Sequence, residues 1–484
     1  MKKFGGGVWL LKVGIFLIGL LTALILGAWV TSESRGFHTW EQYKINWAAK
    51  GEDLDWRAVV PPVVADHENF LKHPIFDDLE ALTEGISLKN MANYNANQSI
   101  RGYGWRAAQP VALASFFVKQ EATYQDLTED EASERLSQYL EAQASWIDGL
   151  TEASHRPYFR LDFDYETQGL EALLEGTDKL TVIQFAFSTL EARALNSLHR
   201  GQLDAAVNDA HTICLLAKHA DQGFGVLSGL ISFIGWEHAL QVVWQGLKGN
   251  RWSNTQLASL DTILSQNNLQ AAALQHLREE RALIICLVEN NLIQTSAEEL
   301  GAALRKLPDE LAYHNLINYC DLMHDYALAP NGISATSLDY QQMRGMVRAV
   351  SQQRFLSARL SIPNPRGLLT AIAMPNFDRT SARALQIEAF LRLSRLAIAN
   401  ERHRQTHGQF ASDLDALELE PSVMSFLTNT TVRYQLKKDN TPLLYFDGLD
   451  QSDDGGRPKN SPEHGDWAWQ YEYAEFDEEV YKSR

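Results

Sequence analysis

Eighteen consecutive residues without a charge, Val13 to Val30, constrain this chain more than any other feature of it. A bilayer core offers no water to backbone N–H and C=O groups, so an apolar run of this length folds as a spanning helix. At about 1.5 Å per residue it reaches across roughly 30 Å of hydrocarbon, helped by Val8–Leu11 on the other side of Lys12. Lys2, Lys3 and Lys12 precede the run, and Glu33, Arg35 and Glu41 follow it. The positive-inside bias therefore puts residues 1–12 in the cytoplasm, residues 13–30 across the cytoplasmic membrane and the bulk outside. Trp29 suits the far interface. The rival reading is a cleaved signal peptide, with an apolar core of about 7–15 residues and small residues before the cut. Here the core is longer, and Leu26 and Trp29 interrupt the Ala-x-Ala positions, although Ser32-Glu33-Ser34 offers a weaker site.

The part beyond the membrane is acidic. Lys and Arg total 43 against 61 Asp and Glu, a formal net charge of −18. That balance excludes nucleic acid as a partner, because phosphate contacts need clustered cations. It also argues against docking of the soluble part on anionic headgroups, and leaves solubility as the plain reason for the charge. The three cysteines, Cys214, Cys286 and Cys320, form no CxxC pair and are odd in number. They read as small buried hydrophobes rather than a disulfide framework.

The expected fold class is mostly α. An irregular helical-hairpin domain, tetratricopeptide-like in part, follows the transmembrane helix, and a small α+β module closes the chain. Residues 36–106 read as an extended lead-in broken by Pro61-Pro62 and anchored by Trp40, Tyr43, Trp47 and Trp56 onto the next domain. Residues 107–362 read as helical. Thr128 with Glu131, Ser253 with Gln256 and Ser296 with Glu299 have the capping-box spacing that satisfies free amides at a helix start. Ala192–Ala220 reads as a hairpin of small residues in which Gly201 ends the first helix. No 34-residue period recurs elsewhere, so a repeat array is not expected. Pro363, Pro365 and Pro375 mark the boundary to residues 376–484. There a helix over Ser381–Thr406 precedes strands at Thr431–Leu436, Leu443–Phe446 and Trp467–Tyr473.

The loop after the second strand carries the chemistry that is legible. Asp450, Ser452 and Asp454 stand at i, i+2 and i+4 ahead of Gly455, the first half of a calcium loop. Calcium takes six to eight oxygens on a bendable backbone. The second half fails, because Ser461 stands where a bidentate Glu belongs, and Asp466 is the acid positioned to close the site. A calcium ion here is expected to hold the loop rather than to catalyse. The alternative is a solvated acidic turn: residues 447–484 hold eleven acidic and four basic residues.

Two resemblances rest on these residues. Residues 381–470 resemble the soluble part of type II secretion major pseudopilins. His407-Gly408-Gln409-Phe410 looks like the turn after their long helix. Gly448, Asp450, Gly455 and Gly456 look like their calcium loop, with Asp466 its closing acid. Gln451 departs from the pattern, and the long helix lies mid-chain rather than at the N-terminus. The whole chain resembles a group of bacterial single-pass membrane-anchored proteins that append such a module to a helical domain. The shared features are the anchor, Gly51-Glu52-Asp53-Leu54 with Pro61-Pro62, Asn364-Pro365 and the Asp-Asp-Gly-Gly loop. The first resemblance implies a structural calcium; the second brings no activity with it.

No enzyme motif stands out. GxxxxGK[ST], HExxH and GxGxxG are missing, and Gly225-Val-Leu-Ser228-Gly229 is off register from a nucleophile elbow. His199, His211, His219, His238, His314 and His324 are scattered over helices, with Glu237-His238 beside Trp236 the nearest approach to a buried polar pair. Three function classes remain open. The leading one is a non-catalytic binding or envelope-structural protein with an envelope partner. The others are a component of secretion or pilus machinery, and a hydrolase assembled from distant residues.

Overall fold

The computed structural model describes residues 36–77, 111–117, 127–161, 169–290, 309–328, 338, 345, 377–417, 419, 421–424, 431–461 and 464–471. The expected membrane span at 13–30, the Ser296–Glu299 box, the proline boundary at 363–375 and the acidic tail after residue 471 lie outside the described residues.

The fold is mostly helical, with a small antiparallel sheet near the C-terminus. The first helix among the described residues, α1, covers residues 36–48, where an extended lead-in was expected. Trp40, Tyr43 and Trp47 are spaced one helical turn apart and form its inner stripe. Trp40 is fully buried and donates its Nε1–H to Glu289 at 2.7 Å, while the Tyr43 hydroxyl donates to Asp321 at 2.8 Å. Short 3-10 turns at Trp56–Val59, Phe70–Lys72 and Pro74–Phe76 follow.

The helical body comprises α2 (Glu129–Ala142), α3 (Ala144–Ala153), α4 (Gly169–His199), α5 (Leu203–Asp221), α6 (Val226–Lys248), α7 (Asn254–Ser265), α8 (Leu269–Glu289) and α9 (Asp309–Met323). Two of the capping boxes form as the spacing predicts. At α2, Thr128 accepts from Glu131 N–H while the Glu131 carboxylate accepts from Thr128 N–H. At α7, Ser253 and Gln256 exchange the same pair of bonds. Gly201 adopts φ +73° and closes α4, letting α5 fold back against it. Among the described residues α6 alone is long and apolar enough to cross a membrane. Its apolar window is 83% buried by protein, and it packs against α4, α5, α8 and the C-terminal helix, so neighbours account for its composition. Cys214, Cys286 and Cys320 are buried and form no disulfide.

Helix α10 (Phe377–His407) ties the body to the C-terminal strands. Its buried face includes Leu385, Ala389, Leu393, Leu396 and Ala397. It packs on α6, α7 and α8 and also carries β2 and β5. Gly408, at φ +79°, ends it. The sheet has the order β1 (Arg433–Leu436), β2 (Pro442–Phe446), β5 (Trp467–Trp469), all antiparallel, with Arg433 opposite Tyr445 and Leu444 opposite Trp469. Between β2 and β5 the chain forms an acidic loop and a small hairpin, β3 (Pro458–Ser461) with β4 (His464–Gly465).

Candidate metal centre

Strand β2 ends at Phe446 and delivers Asp447 to the rim of the sheet. The loop then has to turn back sharply, and its backbone shows how. Gln451, Gly455 and Gly456 all adopt positive φ, at 56°, 70° and 75°. Gly448 passes so close to β4 that a Cβ there would meet the Gly465 carbonyl oxygen at 2.2 Å. The chain returns at Asp466, whose N–H donates to the Arg457 carbonyl at 3.0 Å.

This path brings oxygens of Asp447, Asp453 and Asp466 within 4.8 Å of one another. Asp466 is 1% exposed and held from behind: its Oδ2 accepts N–H bonds from Asp454 at 3.0 Å and Gly456 at 2.7 Å. Its Oδ1 is buried with no hydrogen-bond partner. Burial pushes its carboxyl up to about 6, against the pull of those two N–H bonds, with Asp447 and Asp454 adding repulsion. Asp453 accepts from Gly455 N–H at 2.9 Å and from the Tyr445 hydroxyl at 3.2 Å. Burial and the Asp453 carboxylate push the Tyr445 hydroxyl up to about 12, so it remains a donor.

One cation already touches the cluster. Arg433, at the start of edge strand β1, forks onto both oxygens of Asp447 at 2.7 and 2.8 Å. Its third nitrogen lies 3.2 Å from Asp453. The bonds to Asp447 hold its guanidinium above the ordinary arginine range. Three carboxylates and one guanidinium carry a formal charge of −2 (three negative, one positive), which a divalent ion neutralises.

Of the residues expected as ligands, Asp466 alone is in this triad. Asp450 works within the loop, accepting from Ser452 N–H at 3.2 Å and Gly465 N–H at 3.3 Å. Ser452 offers that N–H and is exposed; Asp454 offers its N–H to Asp466. Positive φ at Gln451, Gly455 and Gly456 breaks the alternation that i, i+2, i+4 spacing presumes. Asp453, between Gln451 and Gly455, escapes the pattern for that reason, and Asp447 lies before all three positions and outside the pattern. Asp447 sits one residue past a strand end, a position where a side chain reaches a sheet-edge loop, and that was the available signal.

The helical body holds two other polar clusters. His276, absent from the histidines singled out in the sequence, lies 3.1 Å from Asp221 and 3.2 Å from Glu279. Burial alone would lower it, but those bonds and charges hold it up at about 9. It is therefore an imidazolium in an ion pair rather than a base. Glu279 and Glu280 in turn accept the N–H groups of Gly225 and Val226 at the start of α6. Glu237 and His238 are both buried, as their place beside Trp236 implied; Glu237 pairs with Arg383 of α10, and His238 with Glu191 of α4. These pairs fasten α4, α6 and α10 to each other.

Compared with known proteins, the chain matches no family model, no curated protein and no solved structure.

Proposed function

We propose that this is a single-pass membrane protein whose N-terminus lies in the cytoplasm and whose extracytoplasmic bulk is non-catalytic, serving in binding or envelope structure. On this reading the helical body, with its tetratricopeptide-like hairpin at α4–α5, is the partner-binding part. The C-terminal strands form a pseudopilin-like module braced by calcium. The observation that carries the calcium reading is the buried, unpartnered Oδ1 of Asp466 beside Asp447 and Asp453. A buried carboxylate oxygen without a donor is costly, and a hard cation bound by oxygen removes that cost. The burial of α10 along the body favours a module fused to a helical domain over a subunit that assembles through a free helix.

Thermal unfolding of the full chain in detergent, with calcium and with a chelator, tests the brace. Calcium raises the melting temperature if the reading holds; superimposed curves end it. Isolation from its own membranes in mild detergent tests the role: an envelope protein in fixed ratio supports binding, and secretion or pilus subunits in fixed ratio would transfer the reading to that machinery.

A further inference from the structure

The arginine at the acidic loop matters beyond neutralising it. Asp466 is fixed from behind by two loop N–H groups, yet Arg433 bonds only to Asp447 and Asp453. Those two are the accessible members, with side chains 17% and 41% exposed, and Arg433 is itself 44% exposed. Resting on the calcium reading, we propose that Arg433 is a built-in competitor for the site. It clasps the two outer carboxylates while no metal is bound and swings into solvent when calcium draws them onto Asp466.

The geometry supports an exchange of cations over a shared site. Oxygens within 4.8 Å of one another suit an ion that binds each at about 2.3–2.6 Å. The guanidinium fork uses both Asp447 oxygens, so Asp447 cannot keep that fork and also turn an oxygen pair to a metal. Strand β1 is at the sheet edge, which leaves the arginine an open path outward. An exposed ion pair is weakly held, so its release costs little. Asp466 supplies the asymmetry: its Oδ1 has no donor in the arginine-clasped state and gains one ligand bond only when a metal arrives. Calcium affinity is then set partly by Arg433, which lowers it, rather than by the carboxylates alone.

The test is calorimetric titration of calcium into the full chain in detergent, for wild type, Arg433→Gln, Arg433→Lys and Asp466→Asn. The inference expects Arg433→Gln to bind calcium about threefold to fivefold more tightly, the fold-change set by an exposed ion pair that the ion no longer has to displace. Arg433→Lys keeps the charge without the fork and falls between the two. Asp466→Asn binds least. If Arg433→Gln binds with wild-type or weaker affinity while wild type binds, the competitor role is overturned and the calcium reading stands. If wild type is silent and Arg433→Gln binds, the gate is supported and is closed in the native chain. If neither binds at millimolar calcium, the calcium reading fails and takes this inference with it. Circular dichroism of each variant confirms that the fold is retained, because Arg433 lies outside the core.

Discussion

Among the described residues two places gather carboxylates around one cation, and they are finished differently. In the helical body Asp221 and Glu279 flank His276, while Glu279 and its neighbour Glu280 accept two N–H groups at the start of α6. None of those carboxylate oxygens is buried without a partner. At the C-terminal loop Asp447, Asp453 and Asp466 meet Arg433, which reaches two of the three and leaves Asp466 Oδ1 bare. The first cluster is closed by protein and is structural. In the second, Asp466 Oδ1 stays without a donor, and on the proposed calcium reading an ion from outside closes it. Similar residues therefore make a rivet in one place and, on the proposed reading, a receptor in the other. Burial of the cation decides which: the His276 side chain is 3% exposed, that of Arg433 44%.

The largest expected effect attacks the closed cluster. His276→Leu keeps most of the volume but leaves Asp221 and Glu279 facing each other without a counter-ion. Breaking a buried pair by removing one partner costs about 3–5 kcal/mol. Urea unfolding of the full chain measures it, and a loss under about 1 kcal/mol would show that the cluster is not a rivet. The same histidine sets an alkaline limit. Its folded value of about 9 stands above the ordinary 6.5, so its contribution is complete below pH 6.5 and is lost as pH rises through 9. His219 works in the opposite sense. It is stacked on Phe70 and bonded to the Ser154 carbonyl, and burial lowers it to about 4. The folded state then resists a proton that the unfolded chain accepts, and stability falls as pH drops from 6.5 towards 4. At about 1.4 kcal/mol per pH unit each limb amounts to roughly 3 kcal/mol. His276→Leu should flatten the loss of stability between pH 6.5 and 9 and leave the His219 contribution below pH 6.5 in place.

A smaller effect belongs to the open cluster. Calcium at about 100 times its dissociation constant stabilises a protein by about 2.7 kcal/mol. Asp466→Asn should abolish that increment while leaving stability in chelator unchanged, since an amide oxygen can still accept from Asp454 and Gly456. Melting curves of the variant that still respond to calcium would place the ion elsewhere.

What could be read in advance follows the range of the interaction. Thr128 with Glu131 and Ser253 with Gln256 are three residues apart, and both boxes form. Gly201 and Gly408 end their helices with positive φ for equally local reasons. That Asp466 returns to the acidic loop was legible because the strand after the loop had to bring it back. Asp453 was not, since left-handed backbone at Gln451 and Gly455 re-aims the side chain between them, and Asp447 lies outside the i, i+2, i+4 pattern. Helix α1 was obscured by Pro61-Pro62, which dominates the composition downstream of it but acts only locally. His276 had no signal: one of its partners, Asp221, is 55 residues away on another helix, and only packing brings them together.

The smallest expected effect completes the comparison. Arg433→Gln removes the cation of the open cluster as His276→Leu removes that of the closed one. In chelator its cost should stay below about 1 kcal/mol, the usual worth of an exposed ion pair. Water reaches Asp453, 41% exposed, once the guanidinium has gone, whereas Glu279 is 9% exposed and is left with little of it. The ratio of the two losses, measured by urea unfolding under one set of conditions, is the sharpest quantity. A ratio near one would mean that Arg433 is as structural as His276, and that the loop is closed by its own arginine. A ratio of three or more would mean that the protein spends little stability on holding the loop shut, as a site kept ready for a metal requires.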